Sequence, residues 1–224
     1  MDETMEEIKY RGCLQFITHK TERYTELQEA EMALQGGCRW VQLRMKNAAP
    51  DDILRVGREM RQLCDKYSAT LIIDDHVELV KEISADGVHL GLSDMPIDEA
   101  RQVLGEEYII GGTANTVEQA LMHYKRSADY VGCGPLRFTQ TKEKLAPTLG
   151  ADGLAAIMSR LHDEHVTMPV VAIGGIGCQD TGLITDTGVD GIAVSGAIVG
   201  APDPVAETQR LVRLVNEQCS RNRK

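Results

Sequence analysis

The chain has 224 residues, of which 42% are hydrophobic, so it can bury a large core and lacks the composition of a disordered protein. Its formal net charge of −10 argues against a general nucleic-acid binder, because phosphate backbones attract basic surfaces. No apolar run reaches about 18 residues, so we expect no membrane span. The acidic segment 1–9 lacks an export signal, and six scattered cysteines are typical of free thiols, so we expect a cytoplasmic protein.

Short apolar runs alternate with amphipathic stretches along the whole chain. Eight of these runs predict strands, namely Leu14–Thr18, Trp40–Arg44, Thr70–Asp74, Gly87–Leu90, Tyr108–Gly111, Tyr130–Gly132, Val170–Ile173 and Gly191–Val194. The stretch 51–67 is typical of a helix, because its apolar residues recur on one face. Thr116 with Gln119 fits a capping box, and Pro96 suits a first helical position.

Strands that alternate with helices predict parallel strands joined by right-handed crossovers. Eight such units without a break in composition favour a closed (β/α)8 barrel, the TIM barrel of the α/β class, and an open doubly wound sheet is the alternative. No linker rich in Pro, Gly or Ser divides the chain, so we expect one catalytic domain over residues 1–224, with flexible tails at 1–9 and 219–224. In such a barrel the chemistry lies at the carboxyl ends of the strands, so polar residues there are the candidates.

An amide and two cations lie at the end of the second predicted strand. Gln42, Arg44 and Lys46 alternate along the chain, so their side chains are expected to point the same way. Arginine offers a planar fork of donors and lysine a point charge, a combination that suits a polyanion such as a diphosphate. The alternative is that these cations are solvated or paired with helix carboxylates.

Carboxylates follow the third and fourth predicted strands. Asp74 and Asp75 come after a buried run, and Asp94 lies shortly after His89. Because Asp75 and Asp94 follow neighbouring strands, they can share one divalent cation. Mg2+ fits such a site when phosphate and water oxygens supply the remaining ligands. Asp94 could instead serve only as a cap of the next helix.

Three later segments have the composition of phosphate-binding loops. The long connection after the sixth strand carries Thr139, Thr141 and Lys142, which could close over a phosphorylated ligand or form a solvated surface loop. The segment Gly174-Gly175-Ile176-Gly177 ends the seventh strand, and Val194 and Ser195 end the eighth. In phosphate-binding barrels the backbone N–H groups of these last two loops hold a phosphate.

Together these stretches resemble the thiamine phosphate synthase family over residues 10–215. The supporting segments are Gln42-Leu-Arg-Met-Lys46, Asp74-Asp75, Asp86-Gly-Val-His-Leu-Gly91 with Asp94, Gly112-Thr113-Ala114, Gly132-Cys-Gly-Pro135, Thr139-Gln-Thr-Lys142, Gly174-Gly175-Ile176 and Asp190-Gly-Ile-Ala-Val-Ser195. Each segment is short, and their order and spacing make the set specific. The resemblance implies a transferase of thiamine biosynthesis that joins a hydroxymethylpyrimidine diphosphate to a thiazole phosphate and releases pyrophosphate.

The resemblance also implies a role for each candidate residue. The pyrimidine diphosphate would be held by Gln42, Arg44, Lys46, Asp74, Thr113 and Lys142, of which Arg44, Lys46 and Lys142 would act in catalysis. The thiazole phosphate would be held by Thr139, Thr141, Gly175, Val194 and Ser195. Asp75 and Asp94 would ligate Mg2+. The expected partners are small molecules, not nucleic acid or a membrane, and a homo-oligomer stays open.

Two positions depart from the family pattern. Asp74 stands where the family usually has Asn, and two like charges about 4 Å apart cost about 4 kcal/mol at an effective dielectric near 20. This carboxylate must therefore point away from the diphosphate, meet the metal or be protonated. Asn115 stands where many relatives have His. The alternatives are a thiazole tautomerase with a histidine base at position 115, a sugar-phosphate isomerase or lyase, and a non-catalytic barrel that binds thiamine intermediates.

Overall fold

Eight β-strands form the inner wall of the protein. The structure, a computed structural model, describes residues 13–137 and 147–222. The strands are β1 (Leu14–Ile17), β2 (Trp40–Leu43), β3 (Thr70–Asp74), β4 (Gly87–Leu90), β5 (Ile109–Ala114), β6 (Tyr130–Cys133), β7 (Val170–Ile173) and β8 (Gly191–Val194). The eight predicted strands are confirmed. β5 continues to Ala114, three residues beyond its predicted end, because Gly111 and Gly112 pair within the sheet instead of turning.

The strands pair in parallel and in chain order, and β1 pairs with β8, so the sheet closes into a barrel. The helices are α1 (Glu26–Gln35), α2 (Pro50–Lys66), α3 (Val80–Ile83), α4 (Ile97–Leu104), α5 (Val117–Lys125), α6 (Gly150–Asp163), α7 (Thr181–Thr185), α8 (Gly196–Val199) and α9 (Pro204–Asn222). The predicted (β/α)8 barrel is confirmed, and the β1–β8 pairing excludes the open sheet. No helix within the described ranges has the length and hydropathy needed to cross a bilayer.

The α2 helix shows how local sequence produces these elements. Pro50 occupies its first turn with Asp51 and Asp52, whose charges complement the positive end of the helix dipole, and Lys66 lies in its last turn. Its buried face consists of Ile53, Val56, Gly57, Met60 and Cys64. This apolar stripe recurs at the helical period, and it holds α2 against the barrel.

Two predicted helix starts are only partly confirmed. Thr116 is the N-cap of α5, and its hydroxyl accepts from Gln119 N at 3.3 Å. The Gln119 side chain, however, accepts from Asn115 N at 2.7 Å, because that N–H at the end of β5 competes for the same carbonyl. Pro96 is extended and lies before Ile97, the first residue of α4, so it is not the first helical residue.

Aspartates before β4, β6 and β8 make the same type of hydrogen bond at the N-terminal end of the barrel. Asp86, Asp129 and Asp190 each accept a hydrogen bond from a backbone N–H of the preceding strand. The donors are Leu71, Ile110 and Val170, at 2.7, 2.7 and 2.9 Å. Arg61 adds an ion pair to Asp86 at 2.8 Å, and Arg101 adds one to Asp129 at 2.6 Å. These charge-assisted contacts stabilise the end of the barrel opposite the expected site.

Side chains fill the barrel interior. Alternate strand residues form an inner cluster of Trp40, Ile72, Ile109, Tyr130, Val171 and Ala193, and the larger apolar core packs between strands and helices. Tyr130 is fully buried and lies across Gly111, where a Cβ atom would collide with the phenol ring. The glycine at this position therefore gives the tyrosine room to span the interior.

The expectation of free thiols holds at four cysteines and is wrong at a fifth. Cys38, Cys64, Cys133 and Cys178 are buried free thiols, and burial raises the pKa of each. Cys13 forms a disulfide bond. Scattered spacing could not show this, because pairing depends on which cysteines the fold brings within a few ångströms of one another.

Candidate active site

The ends of β2 and β3 bring together Gln42, Arg44 and Asp74. Gln42 Nε2 donates a hydrogen bond to Asp74 Oδ1, and Arg44 Nε lies 3.3 Å from Asp74 Oδ2. The Arg44 and Asp74 side chains are 10% and 13% exposed, so the pair is mostly withdrawn from water. Arg44 thus compensates the Asp74 charge, which removes much of the conflict expected between this carboxylate and a diphosphate.

The backbone of Arg44 is held by the neighbouring strand end. Thr18, which follows β1 and is fully buried, accepts from Arg44 N at 2.9 Å and donates to Arg44 O at 3.2 Å. Lys46 is exposed in the turn after β2, which ends at Leu43. Of the three residues whose shared face was predicted from strand alternation, Gln42 therefore lies within β2, and Arg44 and Lys46 lie beyond its end.

Asp75 and Asp94 meet at the ends of β3 and β4, and their side chains share a hydrogen bond. Asp75 has a left-handed backbone (φ 67°), and its N–H donates to His89 O at 2.9 Å. The pKa of Asp75 is raised to about 7, first because its carboxyl is partly withdrawn from water, and then because of the nearby Asp74 charge and the bond to Asp94. Like charges are thus crowded together at this edge of the barrel.

Asp94 does not cap the next helix. Its Oδ2 accepts from Gly91 N at 2.6 Å, and α4 begins three residues later. Within the described residues there is no group of three or more His, Cys, Asp or Glu side chains that could enclose a metal ion. Two crowded carboxylates nevertheless fit Mg2+, which proteins hold through one or two carboxylates plus substrate phosphates and water.

A chain of hydrogen bonds crosses the barrel interior below these carboxylates. His89 Nε2 lies 2.9 Å from Thr113 Oγ1, and His89 Nδ1 lies 3.0 Å from the Tyr130 hydroxyl. Gln15 Nε2 donates to the same hydroxyl at 3.2 Å. All four residues are buried. Thr113, a predicted substrate contact, is therefore connected through His89 to residues at the centre of the barrel.

The loops after β7 and β8 contain the residues predicted to bind a phosphate. Gly174 and Gly175 have φ values of 93° and 69°, a region that favours glycine. Ser195 follows Val194 at the end of β8, and its Oγ is buried without a hydrogen-bond partner in the described part of the chain. Gly175 is exposed, so its backbone is accessible to a ligand.

The base of the loop after β6 is fixed to its neighbours. Arg137 Nη1 lies 2.8 Å from Asp180 Oδ2, which also accepts from Gly177 N at 3.0 Å. Asn115 Nδ2 donates to Gly134 O, so this side chain is engaged with the β6 loop. The predicted residues Thr139, Thr141 and Lys142 lie outside the described residues.

Some polar residues near the site were not predicted. Gln15 and Tyr130 lie within strands, and their side chains point into the barrel. The only sign of this in the sequence is a polar group within an otherwise apolar strand. Glu29 is fully buried in α1, where its Oε2 accepts from His19 N at 2.8 Å in the loop after β1. Burial raises the pKa of Glu29 to about 7. Its signal in the sequence is a carboxylate on the apolar face of a helix.

The sequence also matches proteins of known family. Residues 14–198 match the family model described as thiamine monophosphate synthase. The chain belongs to the thiamine monophosphate synthase family. A thiamine-phosphate synthase of Bacteroides fragilis is 55% identical over 201 residues, which cover 90% of this chain and 98% of that protein. The predicted family is therefore confirmed.

Solved structures agree with this family membership. Thiamine phosphate pyrophosphorylase from Pyrococcus furiosus matches with a TM-score of 0.83 at 36% identity, covering 94% of this chain and 98% of that one. A 3-hexulose-6-phosphate synthase matches with a TM-score of 0.65 at 16% identity, covering 90% of this chain and 99% of that one. The second likeness is one of fold alone, so it does not favour the sugar-phosphate alternative.

Proposed function

We propose that this member of the thiamine monophosphate synthase family is a transferase that makes thiamine phosphate. It joins 4-amino-2-methyl-5-hydroxymethylpyrimidine diphosphate to a thiazole phosphate and releases pyrophosphate. The observation that carries the proposal is the cluster of Arg44, Asp74, Asp75 and Asp94 at the carboxyl ends of β2, β3 and β4. An arginine guanidinium next to closely spaced carboxylates suits a diphosphate that is bound together with a divalent cation.

The two substrates use different parts of the barrel mouth. Gln42, Arg44, Lys46, Asp74, Thr113 and Lys142 hold the pyrimidine and its diphosphate, with Asp74 acting through Gln42 and Arg44. Thr139, Thr141, Gly175, Val194 and Ser195 bind the thiazole phosphate, the last three mainly through the loop backbone. The unpartnered Ser195 Oγ and the left-handed Gly175 support this second assignment.

Asp75 and Asp94 hold Mg2+ in this proposal. When bound, the ion neutralises charge on the departing diphosphate. The raised pKa of Asp75 supports the assignment, because a carboxylate that ionises with difficulty beside its neighbours is stabilised by a nearby cation.

The reaction requires little acid–base chemistry. The leaving group departs from a benzylic-type carbon of an electron-rich aminopyrimidine, so loss of pyrophosphate precedes attack and leaves a pyrimidine cation. Arg44, Lys46 and Lys142 stabilise the charge that develops on the diphosphate. The pocket then holds the thiazole nitrogen close to the cation, which adds a positioning effect.

The test is release of pyrophosphate from the two purified substrates, with Mg2+ and with a chelator. We expect release that depends on both substrates and on the divalent ion. A protein that binds the substrates without turnover would be the non-catalytic alternative. Isomerisation of the thiazole without use of the diphosphate would indicate the tautomerase, and the hydrogen bond of Asn115 to Gly134 O argues against a base at that position.

Three broader properties belong to the same proposal. One catalytic domain over residues 1–224, with flexible tails at 1–9 and 219–224, is in keeping with the family match over 14–198. A cytoplasmic location suits a biosynthetic enzyme of small phosphorylated molecules. A homo-oligomer stays a prediction, and measurement of the molar mass in solution tests it.

A further inference from the structure

We propose that Gln15 and Tyr130 form a directed hydrogen-bond chain that fixes His89 in one tautomer and makes the Thr113 hydroxyl a donor to the substrate. Gln15 and Tyr130 are thereby positioning residues, because they act through His89 and Thr113. Only the last step, the contact with substrate, rests on the proposed function. Which group donates and which accepts at each hydrogen bond follows from contacts within the protein.

The register of three strands builds the chain. His89 in β4, Gly111 in β5 and Tyr130 in β6 are neighbours across the sheet. Because Gly111 has no side chain, the Tyr130 ring lies over it and reaches His89, with ring centroids 5.4 Å apart. A larger residue at Gly111 would separate the two rings. Thr113 lies two residues further along β5, where it meets the other nitrogen of His89.

The direction of the hydrogen bonds is set first at Gln15. Its Nε2 donates to the Tyr130 oxygen at 3.2 Å, so the phenol must place its own proton elsewhere. Tyr130 is fully buried, and within the described residues its hydroxyl has two hydrogen-bond partners, Gln15 and His89. A buried donor without an acceptor is strongly unfavourable, so the phenol proton points to His89 Nδ1.

The tautomer of His89 follows from this first step. A neutral imidazole that accepts at Nδ1 carries its proton on Nε2 and donates there. Nε2 lies 2.9 Å from Thr113 Oγ1, which therefore accepts. The Thr113 proton then has no acceptor in the described part of the chain, and Thr113 is 6% exposed at the end of β5. It can be donated to an acceptor atom of the substrate.

The opposite direction has a different consequence for the site. If His89 Nδ1 donated to Tyr130, the phenol proton would be buried without an acceptor. Thr113 would then donate to His89 Nε2 and would have no proton left for a ligand. The position of one proton on His89 therefore separates the two arrangements, and it can be observed directly.

The experiment is 15N nuclear magnetic resonance of the ligand-free protein with labelled histidine. The His89 signals are assigned by their loss in His89→Gln. We expect Nδ1 without a proton and Nε2 with one. Tyr130→Phe, which keeps the ring, should allow both tautomers and lower kcat/KM for pyrophosphate release about tenfold, the effect of one lost hydrogen bond. The matched control is Tyr124→Phe, since Tyr124 is 41% exposed on α5 and should change neither result.

The outcomes are distinct. A proton on His89 Nδ1 in the unaltered protein, or on both nitrogens, overturns the proposal even if Tyr130→Phe fails to fold. Unchanged His89 signals in a folded Tyr130→Phe protein also overturn it. If the signals behave as expected but the unaltered protein releases no pyrophosphate, the chain direction is supported and the proposed function fails.

Discussion

Removal of Arg44 is expected to slow the enzyme in two ways, through a lost diphosphate contact and through loss of the Arg44 charge that faces Asp74. Arg44 Nε lies 3.3 Å from Asp74 Oδ2, with both side chains mostly buried. Unit charges at that separation interact by about 5 kcal/mol at an effective dielectric near 20. The loss of water offsets part of this energy. With the diphosphate bound beside Asp74, we expect the removal of Arg44 to raise the barrier by about 3 kcal/mol, or about a hundredfold in rate.

The part of the rate loss that comes from the Asp74 charge should be reversed by a second substitution, at Asp74 itself. Asp74→Asn removes the negative charge and keeps an oxygen that can accept from Gln42 Nε2. The double variant Arg44→Ala with Asp74→Asn should therefore be about tenfold faster than Arg44→Ala alone, if half of the lost energy is repulsion by Asp74. Asp74→Asn by itself should stay close to the unaltered rate, because Arg44 still reaches the diphosphate.

The assay is pyrophosphate release with saturating substrates and Mg2+, with thermal unfolding measured on each protein. Asp74 keeps its hydrogen bond from Gln42 when Arg44 is removed, and the added charge of the diphosphate is present only with substrate, so stability should fall much less than turnover. Arg55→Ala is the matched control, because the Arg55 side chain is 64% exposed on α2 and pairs only with surface carboxylates in the described residues. A double variant as slow as Arg44→Ala would refute the argument.

Three further results are expected. A chelator should abolish pyrophosphate release, and added Mg2+ should restore it. Because the pKa of Asp75 is raised to about 7, protons compete with the metal below that pH, so the Mg2+ concentration for half-maximal activity should rise about tenfold for each pH unit of acidification; a flat dependence would contradict this. Asp129→Ala leaves Ile110 N without its acceptor and should lower the free energy of unfolding by about 3 kcal/mol, with turnover per folded molecule unchanged. The control is Asp98→Ala, because the Asp98 side chain is 53% exposed and pairs with Arg126 at the surface, so both stability and turnover should stay close to those of the unaltered protein.

Much of the site was predictable because a barrel orders its strand ends. Once eight strands are assigned, Arg44, Asp75 and Asp94 must lie at one end, since they follow strands that are parallel neighbours. Their charges are the basis of the ligands proposed for the site. Strand alternation is a weaker guide to where the Arg44 and Lys46 side chains point, because it applies only as far as the strand continues, and β2 ends at Leu43.

Contacts between side chains could not be predicted in this way. Nothing in the order of residues shows that Asp74 pairs with Arg44, although the sequence did show that its charge needs an explanation. The role of Tyr130 was also hidden, because an aromatic residue in a strand is usually apolar core. The hydrogen-bonded chain of side chains is visible only in the folded barrel. There His89 and Tyr130 align with Gly111, which has no side chain to separate them, and Gln15 is buried beside Tyr130.

The sequence by itself determined the eight strand–helix units, the family and the chemical character of the barrel mouth. These follow from periodicity and from short segments whose meaning depends on their order in the chain. The tertiary structure alone decided which charges compensate one another, that Cys13 is paired, and which polar side chains meet within the barrel. Such features depend on distances of about 3 Å between residues that are far apart in the chain, and only the folded barrel sets those distances.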